Sequence, residues 1–202
     1  FLNSAGIAVM NTPVIEVRNF CKRFTLHQQG GVVINALDNV SFSVSAGECL
    51  ALSGPSGAGK STMLKALYGN YLPSSGEILV RTDAGTIDIG KASPRTVMKL
   101  RLGVISFVTQ FLRVIPRVTA LSLVAEPLAE AGVDPEEARS RARDMLYRLN
   151  LPERLWNLAP ATFSGGEQQR VNIARGMIRP TPVLLLDEPT ASLDGENRRV
   201  VI

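Results

Sequence analysis

Residues 54–62 read Gly-Pro-Ser-Gly-Ala-Gly-Lys-Ser-Thr, with Gly at 54 and 59, Lys at 60 and a hydroxyl at 61. That register is a complete phosphate-binding loop, and it demands a strand before it and a helix after it. Cys49–Leu52 is a short apolar run that predicts the strand. Thr62–Tyr68 has helical character and ends at Gly69-Asn70, a helix stop. Glycines allow the backbone to wrap a polyphosphate with several N–H groups turned inward, and the helix N-terminus adds partial positive charge. Lys60 is expected to reach the β- and γ-phosphates and Ser61 to ligate Mg²⁺. The candidate nucleotide-binding set is therefore Gly54, Pro55, Ser56, Gly57, Ala58, Gly59, Lys60, Ser61 and Thr62. A ligand-free glycine turn would not need Lys and Ser in register.

The rest of the composition narrows the class. With 202 residues and 45% hydrophobic content, the chain can bury one sizeable core. Its apolar runs are only a few residues long, too short to span a bilayer. Cys21 and Cys49 lie in or near predicted strands, which suits small buried hydrophobes in a reducing cytoplasm better than a disulfide framework. The net charge of +4 is spread among acids, without a basic patch interleaved with aromatics, so a nucleic-acid role gets little support. Residues 136–148 read as the solvated face of a helix. The chain begins at Phe1, has its first Met at Met10, and stops on the apolar run Val200-Val201-Ile202. Residues 1–12 are expected to be a disordered or non-native leader, and both ends are expected to be cut.

Along the chain, Val14–Phe20 alternates as a half-buried strand does, and a loop with Gly30-Gly31 leads to strands near Val32–Ile34 and Val40–Val44. Glu77–Arg81 and Thr86–Ile89 read as partner strands, and Val104–Val108 as another that ends at Gln110. From about 111 to 162 the pattern is helical. Asp134-Pro135-Glu136-Glu137 combines an N-cap, Pro at the first helical position and acids in the first turn. A further helix starts near Ser164, and Val183–Leu186 reads as a strand buried on both faces. The expected architecture is an α/β nucleotide-binding core, with antiparallel strands before it and a helical insertion inside it.

Asp187-Glu188 follows that last strand directly. Carboxylates at such a strand end can face a phosphate loop; Asp187 suits the outer shell of Mg²⁺, and Glu188 suits polarisation of an attacking water. Ser164-Gly165-Gly166-Glu167 has two readings. Ser164 and Glu167 form a capping box, which explains both residues as helix-start chemistry. A capping box does not ask for two glycines in the first turn, where each weakens the helix by about 1 kcal/mol; they let a phosphate or another backbone approach. Both readings can hold.

Gly54–Thr62, Gln110, Ser164–Gln169, Leu184–Glu188 and Ser192-Leu193-Asp194 occur in the order and spacing of the ATP-binding-cassette (ABC) ATPases, which the chain resembles from about residue 13 onward. The resemblance implies a P-loop fold of ABC type in one domain, 13–202, with a mostly parallel sheet core, an N-terminal antiparallel subdomain and a helical subdomain at about 111–162. It implies ATP and Mg²⁺ as cofactors and a head-to-tail homodimer that sandwiches two ATP molecules. Lys60 of one subunit and Ser164, Gly165, Gly166 and Glu167 of the other would hold the same nucleotide. Gln110 would sense Mg²⁺ and the attacking water, Asp187 would serve the metal, and Glu188 would be catalytic. Asp194 would contact the opposite subunit. Phe24 matches the position of an adenine-stacking ring, although it equally suits ordinary core.

Two departures from the family pattern stand out. Phe163 precedes Ser164 where Leu is usual, and Glu167 replaces a Gln. The family also places a phosphate-gripping histidine beyond residue 202; His27, the only histidine, lies in an upstream loop and cannot substitute. These 202 residues are accordingly expected to be a fragment, unstable alone and impaired in hydrolysis. Within the family, Tyr68–Pro73, Gln110–Arg117 and Leu149–Trp156 resemble the L subunit of the bacterial phosphonate carbon–phosphorus lyase system. That resemblance implies support for synthesis of ribose 1-methylphosphonate 5-triphosphate, with Phe111–Leu128 facing other lyase subunits. Two alternatives remain open. One is a transporter motor of the lipoprotein-release or macrolide-export type, bound to a membrane permease. The other is a nucleotide-gated scaffold without sustained turnover.

Overall fold

A computed structural model describes residues 12–191. Asp194, with Ser192-Leu193, lies outside the described residues, as does nearly all of the expected leader. The chain divides at Val97/Met98 into two compact units.

The first unit is built on a four-stranded antiparallel sheet of order β2-β1-β3-β4. Its strands are β1 (Ile15–Leu26), β2 (Val32–Val44), β3 (Ser75–Thr82) and β4 (Gly85–Asp88). The two short strands expected at 32–34 and 40–44 are one long strand, because register shifts against β1 absorb the break in alternation. Ile15 and Val17 face the core by the two-residue period, which would next point Asn19 inward. Asn19 instead sits at φ 48° in a bulge, bonded through its amide to Asn39 Oδ1 at 2.9 Å, and Phe20 takes the inward position, fully buried.

Helix α1 (Lys60–Leu67) follows the glycine loop and buries Met63, Ala66 and Leu67, one stripe at helical spacing. It ends in a Schellman motif, in which the Gly69 N–H donates to Ala66 O and the Asn70 N–H to Lys65 O. The expected strand at Cys49–Leu52 is not one. No ladder takes up its backbone among the described residues, and Leu50 stays 42% exposed. An apolar run becomes a strand only beside a hydrogen-bonding neighbour.

The second unit pairs β5 (Ile105–Val108) with β6 (Val183–Leu186), the parallel pairing among the described residues. Helix α2 (Pro94–Gly103), absent from the sequence reading, leads into β5; Arg179 fastens its C-terminal carbonyls, donating to Arg101 O and Leu102 O at 2.8 Å each. Helices α3 (Ala120–Glu130), α4 (Pro135–Arg148), α5 (Glu153–Trp156) and α6 (Gly165–Met177) enclose one apolar core with Val108. Asp134 caps α4 as expected, accepting from the N–H groups of Glu136 and Glu137 at 3.0 and 3.2 Å.

Helix α6 lies directly on β5. A Cβ added to Gly176 would overlap Val108 Cγ2, so any larger residue there requires Val108 or the helix to shift. Strand β6 is buried on one face alone: Leu185 is covered, while Leu184 and Leu186, on the other face, are about half exposed.

Candidate functional site

In the first unit the glycine loop is shaped from below by β2. Gly59 adopts φ 87° as the N-cap of α1, and a Cβ there would meet Ala36 O at 2.5 Å. No side chain caps α1 at Gly59, so the helix start presents backbone N–H groups instead of a capping oxygen. Lys60 folds back over the loop, its Nζ donating to Gly54 O and Pro55 O at 2.8 Å each. That leaves the third ammonium donor outside the loop's own bonds. Gly54 through Ala58 are exposed and Lys60, Ser61 and Thr62 half-buried, so the loop backbone is open to a ligand, with one cation and two hydroxyl-bearing residues following it. The arrangement fits a polyphosphate: donors and a positive charge are gathered, and the residue nearest β2 has no side chain to block the approach.

Phe24, on β1, is half-buried and meets Tyr71 edge to face, with ring centroids 5.2 Å apart. Lys22 Nζ sits 5.0 Å from the Phe24 centroid and donates to Leu72 O. Tyr71 and Lys22 belong to this cluster and were not singled out in the sequence, because nothing local ties residue 71 to residue 24.

In the second unit Gln110 and the Asp187-Glu188 pair stand at the C-terminal ends of adjacent parallel strands. The Asp187 N–H donates to Val108 O at 2.9 Å, which carries the ladder to the edge of the sheet. Beyond it, Gln110 Nε2 donates to Glu188 Oε2 at 3.1 Å. Asp187 is buried and Glu188 exposed. Glu188 holds φ 48°, a left-handed conformation that costs a non-glycine residue on the order of 1 kcal/mol or more and collects at functional sites.

At the start of α6, the capping box forms in full. Glu167 N–H donates to Ser164 Oγ at 3.3 Å, and Glu167 Oε2 accepts from the Ser164 N–H at 2.8 Å. The Ser164 hydroxyl also reaches Glu167 Oε2 at 2.9 Å. These bonds, first from the Ser164 backbone and then from its hydroxyl, hold the Glu167 carboxyl below its usual range. Glu167 is therefore committed to the cap, while the exposed Gly165 leaves the backbone at the helix start accessible.

Two buried side chains of α6 make contacts that the sequence does not announce: Gln169, the last residue of the Ser164–Gln169 motif, and Asn172. Gln169 Nε2 donates to Pro189 O at 3.0 Å, and Asn172 Nδ2 donates to Thr109 O. Their spacing of three on one helix face was the available signal.

A glycine loop leading into a helix in the first unit, and strand-end carboxylates with a glycine-started helix in the second, are each features of the P-loop class of nucleoside-triphosphatases. The ABC transporter family matches residues 37–191, and the chain belongs to that family. Among solved structures it is similar to the dimeric post-hydrolysis state of the ATP-binding cassette MJ0796 bound to ADP and Pi. That likeness has 35% identity and a TM-score of 0.83, over 93% of this chain and 79% of that one. A second dimeric structure of MJ0796, described as a bacterial ABC transporter cassette, gives 35% identity and a TM-score of 0.85 over the same shares. The chain is thus an ABC-type ATPase domain that uses ATP with Mg²⁺. No described helix is long and apolar enough to cross a membrane.

Proposed function

We propose that this chain hydrolyses ATP in a head-to-tail homodimer, each nucleotide held by the glycine loop of one subunit and the start of α6 of the other. The observation that carries this reading is the hydrogen bond between Gln110 and Glu188 beside Asp187 at the ends of β5 and β6. A carboxylate oriented by an amide is suited to accept a proton from an attacking water. Backbone N–H groups at Gly54–Thr62 and the Lys60 ammonium would hold the phosphates, and Ser61 and Asp187 would serve Mg²⁺, whose chemistry is to neutralise charge building on the transferred group. Phe24 would stack on the base. Ser164, Gly165 and Gly166 would close the site from the partner subunit, and the dimeric state of the MJ0796 cassettes supports that pairing.

The process served is the phosphonate carbon–phosphorus lyase pathway, with other lyase subunits as partners. Support comes from Tyr68–Pro73, Gln110–Arg117 and Leu149–Trp156, segments in which the chain resembles that system's L subunit. Phe111 is 72% exposed in the second of them, ready for a protein neighbour. The similarity to a transporter cassette favours a second reading, a motor docked on a permease. Co-purification decides between them: lyase subunits must come down with the protein under the first reading, an integral membrane permease under the second. Glu188→Gln tests the shared chemistry. It is expected to keep ATP and accumulate as a closed dimer, and normal turnover by that variant would remove Glu188 from its role.

A further inference from the structure

The backbone on either side of the Gln110–Glu188 contact is fastened to one helix. Thr109, the residue before Gln110, has its carbonyl bonded by Asn172 Nδ2. Pro189, the residue after Glu188, has its carbonyl bonded by Gln169 Nε2. The two amides meet each other, Asn172 Nδ2 donating to Gln169 Oε1 at 3.4 Å. Asn172 thus commits both Nδ2 hydrogens, one outward to Thr109 and one sideways to Gln169. Gln169 is 3% exposed and Asn172 6%, so water cannot replace either bond without opening the packing.

Glu188 is in a left-handed conformation, and such strain persists only where neighbouring bonds over-determine it. The Gln169–Pro189 bond is one restraint, and the Ala191 N–H to Glu188 O bond at 3.2 Å is another. The helix that supplies both amides starts at Gly165, only four residues before Gln169. A helix transmits displacement along its axis as a stiff rod, so a shift at its glycine-bearing start is felt at Gln169 and Asn172, and through them at Thr109 and Pro189.

We propose that Gln169 and Asn172 are positioning residues that tie the geometry of the Gln110–Glu188 pair to the placement of α6. The proposal rests on the reading of Glu188 as the water-polarising group. It adds that, within one subunit, the helix start facing the partner's nucleotide is coupled to the hydrolytic pair facing the subunit's own.

The test compares Asn172→Ala, Gln169→Met and the double variant with the wild type and with Glu188→Gln. It reads steady-state ATP turnover, KM and thermal melting. Misplacement of a reacting group by about 1 Å costs on the order of 100-fold in rate, so each single variant is expected to lose roughly 10- to 100-fold in kcat with KM within about twofold. The double variant is expected to fall little further, because the two amides act as one unit. Gln169→Met keeps the unbranched shape and loses the donor, so it reads the effect even where Asn172→Ala does not fold. Wild-type turnover by either folded single variant, with Glu188→Gln inactive, overturns the coupling and leaves the role of Glu188 standing. Normal turnover by Glu188→Gln overturns both. A loss of melting temperature with kcat unchanged at a temperature where the protein is folded reduces the pair to a packing role and also overturns the proposal.

Discussion

Gln110 and Glu188 lie 78 residues apart in the chain and are joined by one hydrogen bond of 3.1 Å between side-chain amide and carboxylate. The amide donates without adding charge, which orients the carboxylate and leaves its second oxygen outside that bond. Gln110→Glu replaces that donor by a like charge at the same distance, and the pair must part. Turnover at neutral pH is expected to fall by about 10²-fold or more, with ATP affinity kept. Unchanged kcat in a steady-state assay rules out the contact as part of the reacting geometry.

Lys60 holds two loop carbonyls, Gly54 O and Pro55 O, and has a third donor to offer. A charge-assisted bond to phosphate contributes about 1.5–3 kcal/mol, so Lys60→Ala is expected to weaken ATP binding by roughly 10- to 100-fold. Calorimetric titration reads this directly. Equal affinity in the variant refutes the assigned role.

Gly165→Asp places a carboxylate at the exposed start of α6. Each subunit is expected to bind ATP normally through its own loop while hydrolysis is lost. In mixed dimers with Lys60→Ala, one of the two sites regains both halves, so partial activity should return. A mixture as inactive as its components contradicts a shared site.

The capping carboxylate of Glu167 carries a pH signature. Bonds from Ser164 lower its folded pKa below the 4.5 of a free side chain. Its stabilising contribution is therefore present above pH 4.5 and disappears as pH falls through the lower folded value. Glu167→Ala is expected to cost on the order of 1 kcal/mol near neutrality and less and less under acid, where the wild type has lost the charge too. A stability difference that stays constant down to about pH 3 would falsify the cap as a charged one.

Gly176 of α6 packs close to Val108 of β5, where an added Cβ would overlap Val108 Cγ2. Gly176→Val forces the helix outward and is expected to destabilise by about 1–3 kcal/mol. Because α6 also carries Gln169 and Asn172, turnover should fall with it. A denaturant midpoint equal to wild type shows that the packing is looser than this overlap requires.

Much of the fold was legible because its signals are local. The helix that follows the 54–62 loop, the Asp134 cap of α4 and the Ser164–Glu167 box each depend on a few neighbouring residues, and all three form. The sequence misled where the outcome depended on a neighbour. Cys49–Leu52 is apolar enough for a strand but has no ladder among the described residues, and the apolar run at β6 does not by itself say that one face stays half open. Helix α2 was missed because its stripe is weak, with Leu100 its one buried residue.

Residue identity alone thus marked out the glycine loop, the strand-end acids and the glycine start of α6 as candidates, since backbone freedom, charge and capping are properties of short segments. Only the tertiary structure decided that Gln110 meets Glu188, that Tyr71 meets Phe24, and that Gln169 and Asn172 hold the carbonyls of Pro189 and Thr109. Each of those contacts joins positions far apart in the chain. Their partners are chosen by how strands and helices pack, and no local pattern encodes that choice.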